Sequence, residues 1–160
     1  QITRIDAFEK VKENIYQAIE NFIYVKLNVV AMKGINDDEI LNFVKLTKHL
    51  PIHVRFIEFM PFAGNQWKHA SVIKHNEIIE KVRSKYNFEK VEDPKNSTAQ
   101  AFRIKNAAGT FAIISTVSNG FCSGCNRIRI TADGKIRNCL FLNTIQYMRM
   151  IVNENNSHSH

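Results

Sequence analysis

Apolar residues recur at three- and four-residue steps at Phe8, Val11, Ile15, Ile19 and Phe22. That is the period of a helix with one apolar face, expected over 6–22. Asp6 and Glu9 stand at the spacing of a capping box. Over 24–32 the chain becomes apolar at both parities, as in a strand buried on both faces. Only Lys26 and Asn28 break this run, and they share one face. A turn at Lys33-Gly34-Ile35-Asn36 leads to a second helix, capped by Asn36 or Asp37, which reaches about His49 and stops before Pro51. Its inward residues are Ile40, Phe43, Val44 and Leu46 or near them.

A second strand is expected over 53–60, interrupted by the charges of Arg55 and Glu58 and stopped by Pro61. Strand, helix, strand at this spacing is a βαβ unit with parallel strands. Met60 then lies at the carboxyl end of a strand, where sites of such folds gather. A loop over 62–74 holds the sole tryptophan, Trp67. A third helix follows over 76–86, with Ile78, Ile79, Val82 and Tyr86 inward. Residues 89–98 are polar and contain Pro94, the mark of a linker. Strands are expected over 101–105 and 110–117, and again over 127–131 and 135–139 around Asp133-Gly134, a favoured tight turn. A short helix over 142–150 and a disordered polar tail over 153–160 complete the reading.

The pattern is therefore α/β in the first half and antiparallel in the second, with a boundary near 89–98. One domain with a real core fits 160 residues, of which 44% are hydrophobic. There is no apolar run of about twenty residues to span a membrane. The chain starts without Met or an apolar signal core, and two parallel strands do not fill a sheet. Part of an α/β domain is expected upstream. The net charge of +7 is compatible with an anionic partner such as a nucleotide, nucleic acid or lipid surface, and, lysine by lysine, better explained by a solvated basic surface. The absence of a Lys/Arg block of five or more counts against a non-specific nucleic-acid arm. Lys26 has two readings of equal weight: a strand-edge lysine reaching solvent, or a cation facing an anion in a polar cavity.

All three cysteines fall within 21 residues. Cys122 and Cys125 form a C-x2-C pair, and the hairpin brings Cys139 back towards Cys125. Strand alternation sets Arg127 and Arg129 on one face, with Ile128 and Ile130 on the other. An odd number of cysteines does not suit a secreted disulfide framework and favours a reducing compartment. A structural zinc site would need a fourth ligand, and none of the six histidines lies inside the hairpin. A three-cysteine iron–sulfur cluster would leave one iron open to a substrate, and neighbouring arginines suit an anionic one. The alternative from the residues alone is a Cys3His zinc module with a basic face for nucleic acid. The charges inside the βαβ strands speak against it.

The stretch from Phe121 to Lys135, followed by Asn138-Cys139-Leu140-Phe141, resembles the carboxy-terminal cluster motif of the molybdenum cofactor biosynthesis protein A family, the radical-SAM GTP 3′,8-cyclases. Val25-Lys26-Leu27-Asn28 with the residues to Glu39, and Val54-Arg55-Phe56-Ile57-Glu58-Phe59-Met60-Pro61-Phe62, resemble the same family in the same order. The resemblance implies the carboxy-terminal part of an incomplete (β/α)6 radical-SAM barrel over 1–90, then a small antiparallel region over 91–152 that binds cluster and GTP. It implies that Cys122, Cys125 and Cys139 ligate a [4Fe-4S] cluster with an open iron. Lys26, Arg55, Arg127, Ile128 and Arg129 match positions beside GTP, Arg127 and Arg129 being the implied catalytic pair, and Met60 matches a contact to S-adenosylmethionine. This tips the reading of Lys26 towards function.

The implied reaction converts GTP to (8S)-3′,8-cyclo-7,8-dihydroguanosine 5′-triphosphate, the first step of molybdenum cofactor biosynthesis. The family's C-x3-C-x2-C loop, which holds a second [4Fe-4S] cluster for S-adenosylmethionine, is absent, as is its Gly-Gly carboxyl end. The chain alone is therefore expected to be inactive. GTP is the implied partner, without membrane or nucleic acid. A homodimer is compatible with the resemblance, cyclic pyranopterin monophosphate synthase acts downstream, and bacterial cytoplasm and mitochondrial matrix both fit.

Overall fold

The computed structural model describes residues 6–22, 24–61, 67–118, 127–137 and 145–147. In chain order the elements are α1 Phe8–Asn21, β1 Val25–Ala31, α2 Ile40–His49, β2 Ile52–Glu58, a 3-10 turn at His69–Ser71, α3 His75–Arg83, β3 Phe88–Lys90, β4 Gln100–Ile104, β5 Thr110–Ile114, β6 Arg129–Ile130, β7 Lys135–Arg137 and β8 Ile145–Tyr147. A five-stranded sheet has the order β1-β2-β5-β4-β3, and β6-β7-β8 form a second sheet.

β2 is the centre of the large sheet. It pairs in parallel with β1 on one side and β5 on the other. β4 and β3 continue the sheet antiparallel. Apolar residues at alternate positions face one side, so Val54 sits between Leu27 and Phe111, and Phe56 between Val29 and Ile113. Against that face pack Ile40 and Val44 of α2 and Ile78 and Val82 of α3. Phe56 and Phe111 are fully buried, each contributing roughly 1.5–3 kcal/mol by leaving water. Phe102, Phe111 and Phe88 extend this core with one stacked and two edge-on contacts.

The start of β5 docks tightly on the loop before β2. Gly109 donates its N–H to Thr47 O at 2.8 Å. A Cβ at Gly109 would lie 2.2 Å from Ile52 O, so no side chain fits there.

The helices and most strands lie where the periodicity puts them, and several expectations are corrected. β1 is buried on one face only: Lys26, Asn28 and Val30 are exposed while Val25, Leu27 and Val29 pack on the core. Asp6 does not cap α1, whose first flanking residue is Ala7 with no side-chain cap. Asn36 and Asp37 do not cap α2 either. Asn36 accepts from Met32 N and donates to Val30 O, and Asp37 accepts from Gly34 N, so both shape the turn before the helix.

β3 begins where a linker was expected, because it pairs with β4, a partner distant in sequence. A third parallel strand is present, β5, so the sheet crosses the expected division at residue 90. Residues 145–147 form a strand beside β7 rather than part of a helix. The expected tail over 153–160 lies outside the described residues. No described helix is long and apolar enough to cross a membrane.

Candidate functional site

The face of the large sheet opposite the helices is polar at its β1–β2 end. Register places Lys26 beside His53, His53 beside Thr110, and Asn28 beside Arg55. In a parallel pair, neighbours in register point to the same side. Lys26 and Arg55, both expected at an anion, therefore share this face on adjacent strands.

Contacts hold the group in place. Arg55 Nε donates to Asn28 Oδ1 at 2.8 Å. His53 Nδ1 and Thr110 Oγ1 share a hydrogen bond at 2.6 Å. The Tyr24 ring stacks on His53 with centroids 6.1 Å apart, and Lys26 Nζ lies 4.9 Å from the Tyr24 ring centre. Burial, followed by the charges of Arg55 and Lys26, lowers the pKa of His53 below its ordinary value. The imidazole thus stays neutral near pH 7, and the positive charge rests on Lys26 and Arg55. Two cations, an aromatic ring and amide and hydroxyl groups on one face can bind an anion attached to a flat ring system.

At the carboxyl end of β2, Glu58 is fully buried. Alternation puts it on the same face as Ile52, Val54 and Phe56, opposite to Arg55. The two charges that interrupt β2 thus serve different sides of the sheet. Glu58 Oε2 accepts from Val117 N at 2.8 Å and Ser118 N at 2.9 Å, and Oε1 accepts from His75 N at 3.1 Å and from Ser118 Oγ. The cluster was not singled out from the sequence, although the opposite parity of Arg55 and Glu58 is legible there. His75 Nδ1 and Ser115 Oγ lie 3.1 Å apart, and burial lowers the His75 pKa against the opposing charge of Glu58. Met60 follows β2 by two residues, partly buried, and the Trp67 indole donates to Phe59 O at 2.9 Å.

The hairpin expected around Asp133-Gly134 is present, with a different turn. Gly134 N donates to Thr131 O, Thr131 N donates to Lys135 O, and Gly134 takes a φ of 76°. Ala132 and Asp133 are the central turn residues, and Gly134 occupies the left-handed position of a three-residue loop. Asp133 is held at about 2 by Lys135 and then by the Thr131 hydroxyl. Arg127, Ile128 and Arg129 are exposed, Ile128 by 71%.

Register sets Arg129 opposite Arg137. The arm that follows Cys125 is thereby turned back antiparallel to the arm that leads to Cys139. Three thiols are a soft donor set of a kind that fits an iron–sulfur cluster or zinc. Cys122, Cys125 and Cys139 themselves lie outside the described residues. Among the described residues no group of three or more His, Cys, Asp or Glu could hold a metal ion.

Comparison with known proteins gives a consistent result. The family model described as Molybdenum Cofactor Synthesis C matches residues 52–160. Molybdenum cofactor biosynthesis protein 1 of Homo sapiens is 46% identical over 145 residues, covering 89% of this chain and 23% of the relative. A mitochondrial GTP 3′,8-cyclase of Arabidopsis thaliana is 42% identical over 142 residues, covering 88% of this chain and 36% of that protein. A GTP 3′,8-cyclase of Desulforamulus reducens is 42% identical over 144 residues, covering 88% and 44%. The chain spans about a quarter of the length of the first of these relatives and under half of the others.

Proposed function

The chain belongs to the Molybdenum Cofactor Synthesis C family, and from that premise we propose that it is the nucleotide-facing part of a radical-SAM GTP 3′,8-cyclase acting in molybdenum cofactor biosynthesis. The polar face of β1, β2 and β5 carries this reading. β1, β2 and β5 are parallel, with helices on one side and Lys26, Asn28, His53 and Arg55 on the other. This supports reading β1 and β2 with their helices as late βα units of an incomplete barrel, with the polar face turned inward. In the intact cyclase the rest of the barrel stands upstream and holds the second [4Fe-4S] cluster and S-adenosylmethionine.

The residues act on GTP in three ways. Lys26 and Arg55 neutralise the triphosphate, Arg55 with its orientation set by Asn28. Arg127 and Arg129, with Ile128 between them, lie beside the purine and stabilise charge as the ring closes onto the ribose. Met60, at the carboxyl end of β2, contacts S-adenosylmethionine. Cys122, Cys125 and Cys139 would hold a [4Fe-4S] cluster, which would supply a Lewis-acidic site for the nucleotide. The product is (8S)-3′,8-cyclo-7,8-dihydroguanosine 5′-triphosphate, passed on to cyclic pyranopterin monophosphate synthase. The setting is bacterial cytoplasm or mitochondrial matrix.

Anaerobic reconstitution tests this, with iron, sulfide and zinc counted per chain and EPR spectra taken with and without GTP. About four irons per chain and a signal that GTP perturbs are expected. Bound zinc without sulfide, and no response to GTP, would overturn the proposal in favour of a zinc module.

A further inference from the structure

The β2–β5 ladder ends where Ile57 meets Ile114. Beyond it the chain is held to the end of β2 chiefly by Glu58. The carboxylate receives the backbone N–H groups of Val117 and Ser118, the Ser118 hydroxyl, and the N–H of His75 at the start of α3. Thr116 Oγ1 adds a bond to the Glu58 carbonyl at 3.4 Å. Among the described residues Glu58 is the one fully buried carboxylate. Burying it is costly unless its oxygens are satisfied, and an apolar residue at this alternating position would satisfy the core at no such cost. A carboxylate here instead ties two segments to one point. Cys122 stands four residues beyond Ser118, and Met60 two residues beyond Glu58.

We propose that Glu58 is a positioning residue that fixes where the segment carrying Cys122 and Cys125 leaves β5, level with the end of β2 that carries Met60. It acts through Val117 and Ser118 and touches neither substrate nor cluster. The inference rests on the reading of the three cysteines as cluster ligands. Glu58→Gln keeps the size of the side chain but replaces one acceptor oxygen with an NH2 donor. With backbone N–H groups facing both oxygens, at least one of them then meets a donor. Ser118→Ala removes a single contact and leaves the core intact.

The test compares the full chain with Glu58→Gln, Ser118→Ala and the core variant Val54→Ala, all reconstituted anaerobically. Each is measured for thermal midpoint, rate of iron loss to a chelator, and EPR line shape. Glu58→Gln should lose iron about tenfold faster and shift the EPR signal, as expected when the support of metal ligands is disturbed. Ser118→Ala should move both readouts in the same direction by less. Val54→Ala should lower the midpoint and leave the EPR line shape unchanged. Where Glu58→Gln fails to fold, Ser118→Ala carries the comparison. Line shapes and iron-loss rates that are unchanged in the Glu58 and Ser118 variants, or that follow the midpoint alone in all three, would overturn the inference while sparing the proposed function. A wild-type chain that takes up no iron and sulfide would overturn both.

Discussion

Arg55 donates its Nε–H to Asn28 Oδ1 across the parallel junction of β2 and β1, at 2.8 Å. The contact fixes the plane of the guanidinium, and among the described residues no further hydrogen bond engages its terminal N–H groups. On the proposed role, Arg55→Ala should weaken GTP binding by roughly tenfold or more, the loss of a charged hydrogen-bond partner. Asn28→Ala should weaken it less, by loosening the orientation. Arg55→Lys should not restore binding, because an ammonium cannot reproduce the planar fork. Isothermal titration calorimetry of the reconstituted chain checks all three.

His53 gives a signed pH dependence. Its folded pKa is lowered, chiefly by burial and then by Arg55 and Lys26. The unfolded imidazole therefore takes up its proton first as pH falls. Stability is retained above the ordinary imidazole value of about 6.5 and declines as pH drops below it towards the lowered folded value. His75, also lowered by burial, contributes in the same direction. His53→Asn, which keeps a polar atom near Thr110, should show a smaller loss in urea midpoint between pH 7.5 and 5.5 than the wild type. An equal loss in both proteins would contradict the assignment.

Two glycines should respond to alanine for different reasons. At Gly109 the added Cβ would meet backbone oxygens of Ile52 and Leu50, and neither can swing away. Gly109→Ala should cost about 1–3 kcal/mol or more, read by urea unfolding. At Gly134 nothing lies within 4 Å, but φ is +74° to +76° only at Gly34 and Gly134 among the described glycines. Gly134→Ala should cost about 1–2 kcal/mol from backbone strain alone, read by faster amide exchange at Thr131 and Lys135.

Asp133 should titrate at about 2, because Lys135 and the Thr131 hydroxyl both favour its charged form. Carbon-13 NMR of the side-chain carboxyl should find this, and Lys135→Ala should raise the value towards the ordinary carboxylate range. An unshifted Asp133 in the wild type would show that the hairpin turn is not formed as described.

Periodicity located α1, α2, α3, β1, β2, β4 and β5 to within a few residues, because each is long enough for its buried positions to repeat. It missed β3, a three-residue strand whose only signal is its partner β4. It read 145–147 as helix, because pairing with β7 is invisible in local pattern. It also expected β1 to be buried on both faces, since Val30 looks like a core residue when its surroundings are unknown.

The candidate site divides in the same way. Lys26 and Arg55 were legible as charges inside apolar strands, and the hairpin as an Asp-Gly turn between two short strands. Nothing local showed that His53, Thr110 and Tyr24 would gather beside Lys26. The sequence by itself determined the longer helices and strands, the shared face of Lys26 and Asn28 and the hairpin at Asp133-Gly134, because these follow from spacing along one segment. Only the tertiary structure decided that β5 would insert beside β2. That pairing sets Thr110 against His53 and brings Val117 and Ser118 to the carboxylate of Glu58. The partners are about sixty residues apart, and their meeting depends on which strands pair, a long-range choice made by burial and hydrogen bonding together.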